Sequence, residues 1–168
     1  MLLSHASISP GQGHNTGRQL LSQLYEEQYG RPTPRILTAQ RGKPYFADAS
    51  AHFSITHTKH HVFVALGDRP LGIDAEELTR AIDLRLAEKI LSPTEKAQFD
   101  DAQDQRLALL TFWVLKEAYA KCTGEGLRGY PNHTRFSLDD PRVRTEHGCL
   151  LAVMEDELHK NQENDHAV

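Results

Sequence analysis

The sequence predicts an α+β fold, and three observations carry that prediction. Helix-spaced and strand-like apolar runs are segregated in the order helix, strands, helices, strands, instead of alternating as a wound parallel sheet requires. The strand-like runs are short and joined by tight Gly- or Pro-containing links, which suits antiparallel pairing. Hydrophobic residues make up 39% of the 168 positions and charged residues 25%, the balance of a soluble globular chain able to form one domain or two small halves sharing a core.

Residues 1–14, rich in Ser, Gly and Pro and without a period, are expected to form an irregular lead-in. From Asn15, the positions Leu20, Leu21, Leu24 and Tyr25 follow helical spacing until Gly30 and Pro32 end the pattern. Arg35 to Gln40 reads as a strand, followed by a turn at Arg41-Gly42-Lys43-Pro44. His52 to Thr56, Val62 to Leu66 and Leu71 to Ala75 then read as three strands of an antiparallel meander, linked through Thr58-Lys59-His60 and Asp68 to Pro70. Ile82 to Leu91 has amphipathic helical spacing. Ser92-Pro93-Thr94-Glu95 puts a capping serine before a proline at the first helical position. Gln105 to Lys121 is a long apolar helix stopped by Gly124 and Gly126. Strands are expected over Thr134 to Leu138 and Cys149 to Glu155, around a turn at Asp139-Asp140-Pro141.

Charge and cysteine usage narrow the function classes. The stretch from Glu155 onward carries five acids against Lys160 alone, so the preceding body is neutral, with 18 basic and 18 acidic residues. A neutral body argues against general nucleic-acid binding. The acidic tail, residues 156–168, has little to bury and is expected to be disordered. Leu107 to Leu115, broken by Thr111, is far shorter than the ~20 residues that span a bilayer. The N-terminus lacks the pattern of a signal peptide. Cys122 and Cys149 fit no CxxC spacing, so a reducing cytoplasm is the expected compartment.

Four constellations could carry chemistry. In Gly72-Ile73-Asp74-Ala75-Glu76, the strand period points Asp74 and Glu76 to one face, where they serve a hard cation such as Mg²⁺ or Mn²⁺ or simply end a solvated strand. Glu117 and Lys121 share one face of the long helix with Trp113 a turn earlier. Such a Glu→Lys spacing is most often a surface ion pair, but here it lies in the most apolar helix, where Glu117 could complete a metal site and Lys121 meet a phosphate. His57 ends Phe53-Ser54-Ile55-Thr56-His57 before a turn, a position open to a structural or a phosphate-binding role. Zinc at His57, His60 and His61 is disfavoured by their spacing and the lack of a nearby cysteine. Lys43, between Gly42 and Pro44, suits either a phosphate or an exposed turn.

Taken in order, Gly42-Lys43-Pro44, Phe53-Ser54-Ile55-Thr56-His57, Gly72-Ile73-Asp74-Ala75-Glu76 and the run from Trp113 to Lys121 resemble the 4′-phosphopantetheinyl transferases. The closer likeness is to the two-halved, surfactin-synthetase-activating type, and Gly124-Glu125-Gly126-Leu127 is similar to the loop after that family's long helix. The resemblance implies two pseudo-twofold related α+β halves, 15–70 (shortened) and 71–155 (with the Mg-binding motifs), and coenzyme A bound between them. It implies holo-acyl-carrier-protein synthase activity, moving the phosphopantetheine arm of coenzyme A onto a carrier-protein serine. By position, Asp74, Glu76 and Glu117 would hold Mg²⁺ (or Mn²⁺), Glu117 would act as base and Lys121 would assist the departing phosphate. His57 would contact a coenzyme A phosphate, and Lys43 with Thr56 would position the nucleotide.

Two departures stand out. The family's Ser-x-Ser-His is here Ser54-Ile55-Thr56-His57, and little chain precedes Asn15 for an opening strand, so Arg18, Arg31 or Arg35 would have to replace the nucleotide contacts there. A monomer is expected, with a dimer as the alternative if a second chain completes the short half. The partners are coenzyme A and an acidic apo carrier protein of acyl, peptidyl or polyketide type, with Arg41, Lys59, Lys116 and Arg128 as candidates for a docking patch. Two other readings use the same residues: a metal-dependent nucleotide or pyrophosphate hydrolase, and a degenerate coenzyme A- or carrier-binding module.

Overall fold

The computed structural model describes residues 1–126 and 134–156. The first half runs β1 (Leu2–Ser7), α1 (Gly13–Tyr29), a small hairpin of β2 (Ile36–Thr38) and β3 (Pro44–Phe46), then β4 (His52–His57) and β5 (His61–Gly67). The second runs β6 (Leu71–Glu77), a 3-10 turn over Leu84–Leu86, α2 (Ala87–Ile90), α3 (Pro93–Asp101), α4 (Gln105–Thr123), β7 (Val143–Glu146) and β8 (Cys149–Glu155). The sheet orders are β1-β5-β4 and β6-β8-β7, both antiparallel. Setting the small hairpin and α2–α3 aside, each half repeats strand, long helix, strand, strand, with the third strand in the middle. The α+β expectation holds.

Several expectations are corrected. Residues 1–14 are not an irregular lead-in: Leu2 to Ser7 pair in register with Leu66 to His61, and α1 begins at Gly13, so the first half has its opening strand. The meander breaks after β5, because β6 pairs with β8 in the other sheet. Ile82 to Leu91 forms only a 3-10 turn and a single short helix, with Asp83 accepting from Arg85 N. Thr134 to Leu138 is not a strand, because its donors go to α3 side chains. Phe136 N donates to Glu95 Oε1 and Leu138 N to Gln98 Oε1, leaving no ladder to form. The tail beyond Asp156 and Leu127 to His133 lie outside the described residues.

Three apolar clusters hold the halves together. One lies between α1 and its sheet around Leu21, Tyr25, Phe53, Val64 and Leu66. A second surrounds α4 with Leu109, Phe112, Leu115, Phe136 and Leu150. The third, with Phe63, Ala65, Leu71, Ile73 and Leu151, joins the two sheets. At the seam, β4 supplies side-chain hydroxyls where a neighbouring strand would supply carbonyls: Ser54 Oγ accepts from Ile73 N at 3.1 Å and Thr56 Oγ1 from Ala75 N at 3.3 Å. That keeps the donors on this edge of β6 satisfied without fusing the sheets.

Candidate active site

The close packing of α4 on β6 builds the site. A Cβ added at Gly72 would lie 2.1 Å from Ala118 O and 2.3 Å from Cys122 N, so only glycine allows the helix this near the strand. The approach sets Glu117 and Lys121 beside Asp74 and Glu76, and all four line one cavity of about 270 Å³ with Ile55, Thr56, His57 and Trp113. A second cavity, also about 270 Å³, shares Ile55, Glu117 and Lys121 and continues past Phe53 and Ser54 to Arg41, Lys43, Gly124 and Gly126. The acids, the histidine and the lysines of four separate motifs thus meet around one cleft at the seam.

Asp74 is the most constrained of these groups. Its Oδ1 accepts from Lys121 Nζ at 2.7 Å and Thr56 Oγ1 at 3.0 Å, while its buried Oδ2 has no hydrogen-bond partner among the described residues. Burial pushes the Asp74 carboxyl above its ordinary value, against the pull of Lys121, Thr56 and Arg80. Glu76 is also raised by burial, with Asp74 adding to the rise and Arg80 and a Trp113 hydrogen bond opposing it. Glu117 is raised by burial and by the Asp74 charge. Three carboxylates that burial disfavours as anions, one with an orphaned oxygen, form a donor set of the chemistry that suits a hard divalent cation.

The side chains do not close a metal cage as they stand. Among the described residues no group of three or more His, Cys, Asp or Glu side chains is arranged, as it stands, to hold a metal ion. Asp74 is turned toward Lys121 and Glu76 toward Arg80, so two cations of the chain itself hold two of the three acids. Lys121 therefore pairs with Asp74, not with Glu117 one turn earlier on its own helix.

Other expected roles shift. Lys43 lines the longer cavity, but its Nζ donates to Cys122 O at 2.8 Å and Leu71 O at 3.4 Å, tying the β2–β3 turn to the end of α4. Thr56 binds Asp74 and the β6 backbone, a bridging role set by the hydroxyl that serine and threonine share. His57 lines the carboxylate cavity and lies against Gly13 at the start of α1. His60 bonds Glu77 and His61 bonds His5, so the histidines do not converge on zinc. Lys116 cannot belong to a docking patch: it is 4% exposed and paired with fully buried Glu95 at 2.7 Å. Arg41 donates to Glu125 O, Lys59 is exposed, Arg31 pairs with Asp48, and Arg128 lies outside the described residues. Sequence reasoning missed Arg80, whose only signal is its place just beyond the acidic strand.

The geometry meets an independent comparison. Residues 70–166, more than half of the chain, match the family model described as the 4′-phosphopantetheinyl transferase superfamily. The chain belongs to that superfamily. Among curated relatives, the 4′-phosphopantetheinyl transferase psf-1 of Bacillus pumilus is 34% identical over 116 residues, 66% of this chain and 49% of the relative. Sfp of Bacillus subtilis is 34% identical over 113 residues, again 66% and 49%. The gsp transferase of Aneurinibacillus migulanus is 32% identical over 137 residues, 76% and 56%. This phosphopantetheinyl transferase homologue thus spans about half the length of the curated relatives it matches. A solved Thermotoga maritima holo-acyl-carrier-protein synthase covers half of it at 22% identity and a TM-score of 0.41. No helix among the described residues is long and apolar enough to cross a membrane.

Proposed function

We propose that this protein transfers the 4′-phosphopantetheine arm of coenzyme A to a serine of an acidic apo carrier protein and releases adenosine 3′,5′-bisphosphate. The observation that carries the reading is the cavity where Asp74, Glu76, Glu117 and Lys121 meet, with Asp74 Oδ2 buried and without a partner among the described residues. In the reaction, the serine Oγ–P bond forms, the P–O bond to adenosine 3′,5′-bisphosphate breaks, and the serine proton passes to Glu117. A carboxyl raised by burial and a neighbouring anion is suited to accept that proton. Lys121 is one-third exposed, which leaves its ammonium able to face the leaving phosphate as well as Asp74. A hard divalent cation such as Mg²⁺, held by Asp74, Glu76 and Glu117, would supply positive charge against the pyrophosphate. His57 lines the same cavity and would bind a phosphate oxygen. The second cavity, which shares Ile55, Glu117 and Lys121 with the first, would take more of coenzyme A.

The first half carries β1 beside β5, and the proposed site residues of both halves line one cavity within a single chain, which supports a monomer. The buried free thiols of Cys122 and Cys149 support a reducing compartment, and the cytoplasm is the one we propose. The test is incubation of the chain with coenzyme A, Mg²⁺ and a purified apo carrier protein, read by intact mass. A carrier heavier by one phosphopantetheine unit is the expected result. Release of adenosine 3′,5′-bisphosphate without a carrier would make the protein a hydrolase, and coenzyme A binding without turnover would make it a binding module.

A further inference from the structure

Arg80 is a cation built into the carboxylate cluster. Its Nη1 bonds Glu76 Oε1, and its guanidinium lies over the Trp113 ring, 5.6 Å from the centroid. Its charge bears on Asp74, Glu76 and Glu117 alike. The backbone beneath it is fixed: Arg80 N donates to Glu77 O at 2.8 Å, and Arg106 Nη1 donates to Leu78 O at 2.7 Å and Arg80 O at 3.3 Å. The side chain itself is 38% exposed over this pinned turn. A divalent cation that takes Glu76 meets a like charge already seated there, and the two repel strongly at contact distance in a partly buried site.

We infer that Arg80 competes with the divalent metal for Glu76, and that metal binding lifts its guanidinium off both Glu76 and the Trp113 ring. The inference rests on the metal reading above. Arg80 then lowers the apparent metal affinity by the fraction of molecules in which it covers Glu76. It holds the carboxylates together until the metal arrives and sets the concentration at which the site fills.

The test is Mn²⁺ binding to the full chain without substrate, measured by the electron paramagnetic resonance of free Mn²⁺, for the wild type, Arg80→Gln, Arg80→Lys and Asp74→Asn. The expected result is roughly three- to tenfold tighter binding in Arg80→Gln and near wild-type binding in Arg80→Lys, which keeps the charge. Trp113 is the only tryptophan of the chain and touches both Arg80 and Glu76, so its emission reports loss of the guanidinium together with the change at Glu76. Titration with diamagnetic Mg²⁺ should change that emission saturably in the wild type and by less than half as much in Arg80→Gln. Equal or weaker Mn²⁺ binding in Arg80→Gln, with binding lost in Asp74→Asn, overturns the competition and leaves the metal reading standing. No Mn²⁺ binding in either wild type or Arg80→Gln, or undiminished binding in Asp74→Asn, overturns both.

Discussion

Helix α4 carries two lysines five residues apart, each paired to a buried carboxylate, and the fold treats the two carboxylates in opposite ways. At Glu95 both oxygens are filled. Oε1 accepts from Thr134 Oγ1 and Phe136 N, and Oε2 accepts from Ser92 N and Lys116 Nζ. At Asp74 one oxygen takes both hydrogen bonds and the other takes none from the described residues. Lys116 is sealed from solvent, while Lys121 is 32% exposed at the edge of the cleft. A buried charge network with both carboxylate oxygens filled joins α3, α4 and the chain at Thr134. A network left one bond short beside a cavity has capacity for a ligand, and that contrast is the physical ground for proposing a functional role at Asp74 and a structural one at Glu95.

The largest expected effect breaks the closed pair. Lys116→Met leaves the Glu95 charge buried without its cation, which should cost about 3–5 kcal/mol and lower the melting temperature by roughly 10 °C, read by thermal unfolding. Lys121→Met should do the reverse. Stability should move by less than about 1 kcal/mol because the lysine is partly exposed and Asp74, already raised by burial, can take up a proton in its absence, whereas transfer to an apo carrier should fall by roughly 10²-fold. Glu117→Gln should likewise lose about 10²-fold or more in transfer with an unchanged melting temperature. If Lys116→Met melts normally while Lys121→Met unfolds, the two pairs have been assigned the wrong way round.

Much of this arrangement was legible in the sequence, for reasons tied to periodicity. The period of two put Asp74 and Glu76 on one face, and the helical period did the same for Glu117 and Lys121. Gly30 and Gly124 adopt the left-handed conformation that ends α1 and α4, and Ser92 caps α3 ahead of Pro93 as expected, with Glu95 returning the bond to complete a capping box. What stayed hidden depends on contacts between distant segments. β1 is an edge strand with exposed ends and a half-buried middle, so it shows little alternation. Thr134 to Leu138 has strand-like composition, but Glu95 and Gln98 take its donors. Nothing local says that β6 abandons β5 for β8, that Lys121 prefers Asp74 to Glu117, or that Lys43 will bond carbonyls of α4 and β6. Lys116 looks like any charged residue of a helix until its face is known to be buried.

The smallest expected effect sharpens the contrast through pH. Asp74, Glu76 and Glu117 all titrate above their ordinary values in the folded chain, because burial disfavours their charged forms. Stability from such groups is full below the ordinary carboxylate range and is lost as pH rises through the raised values. A divalent cation at the site offsets that loss, but only where the acids are ionised. Mg²⁺ at ten times its dissociation constant contributes about 1.4 kcal/mol, so it should raise the melting temperature by roughly 3–5 °C at pH 8 and by clearly less at pH 5. Asp74→Asn should abolish most of the pH 8 increment, whereas Glu95→Gln, acting at the closed pair, should lower the melting temperature at both pH values and leave the increment intact. An Mg²⁺ increment that is equal at the two pH values, or that survives Asp74→Asn, would mean the cation binds elsewhere and that the open oxygen of Asp74 is not its ligand.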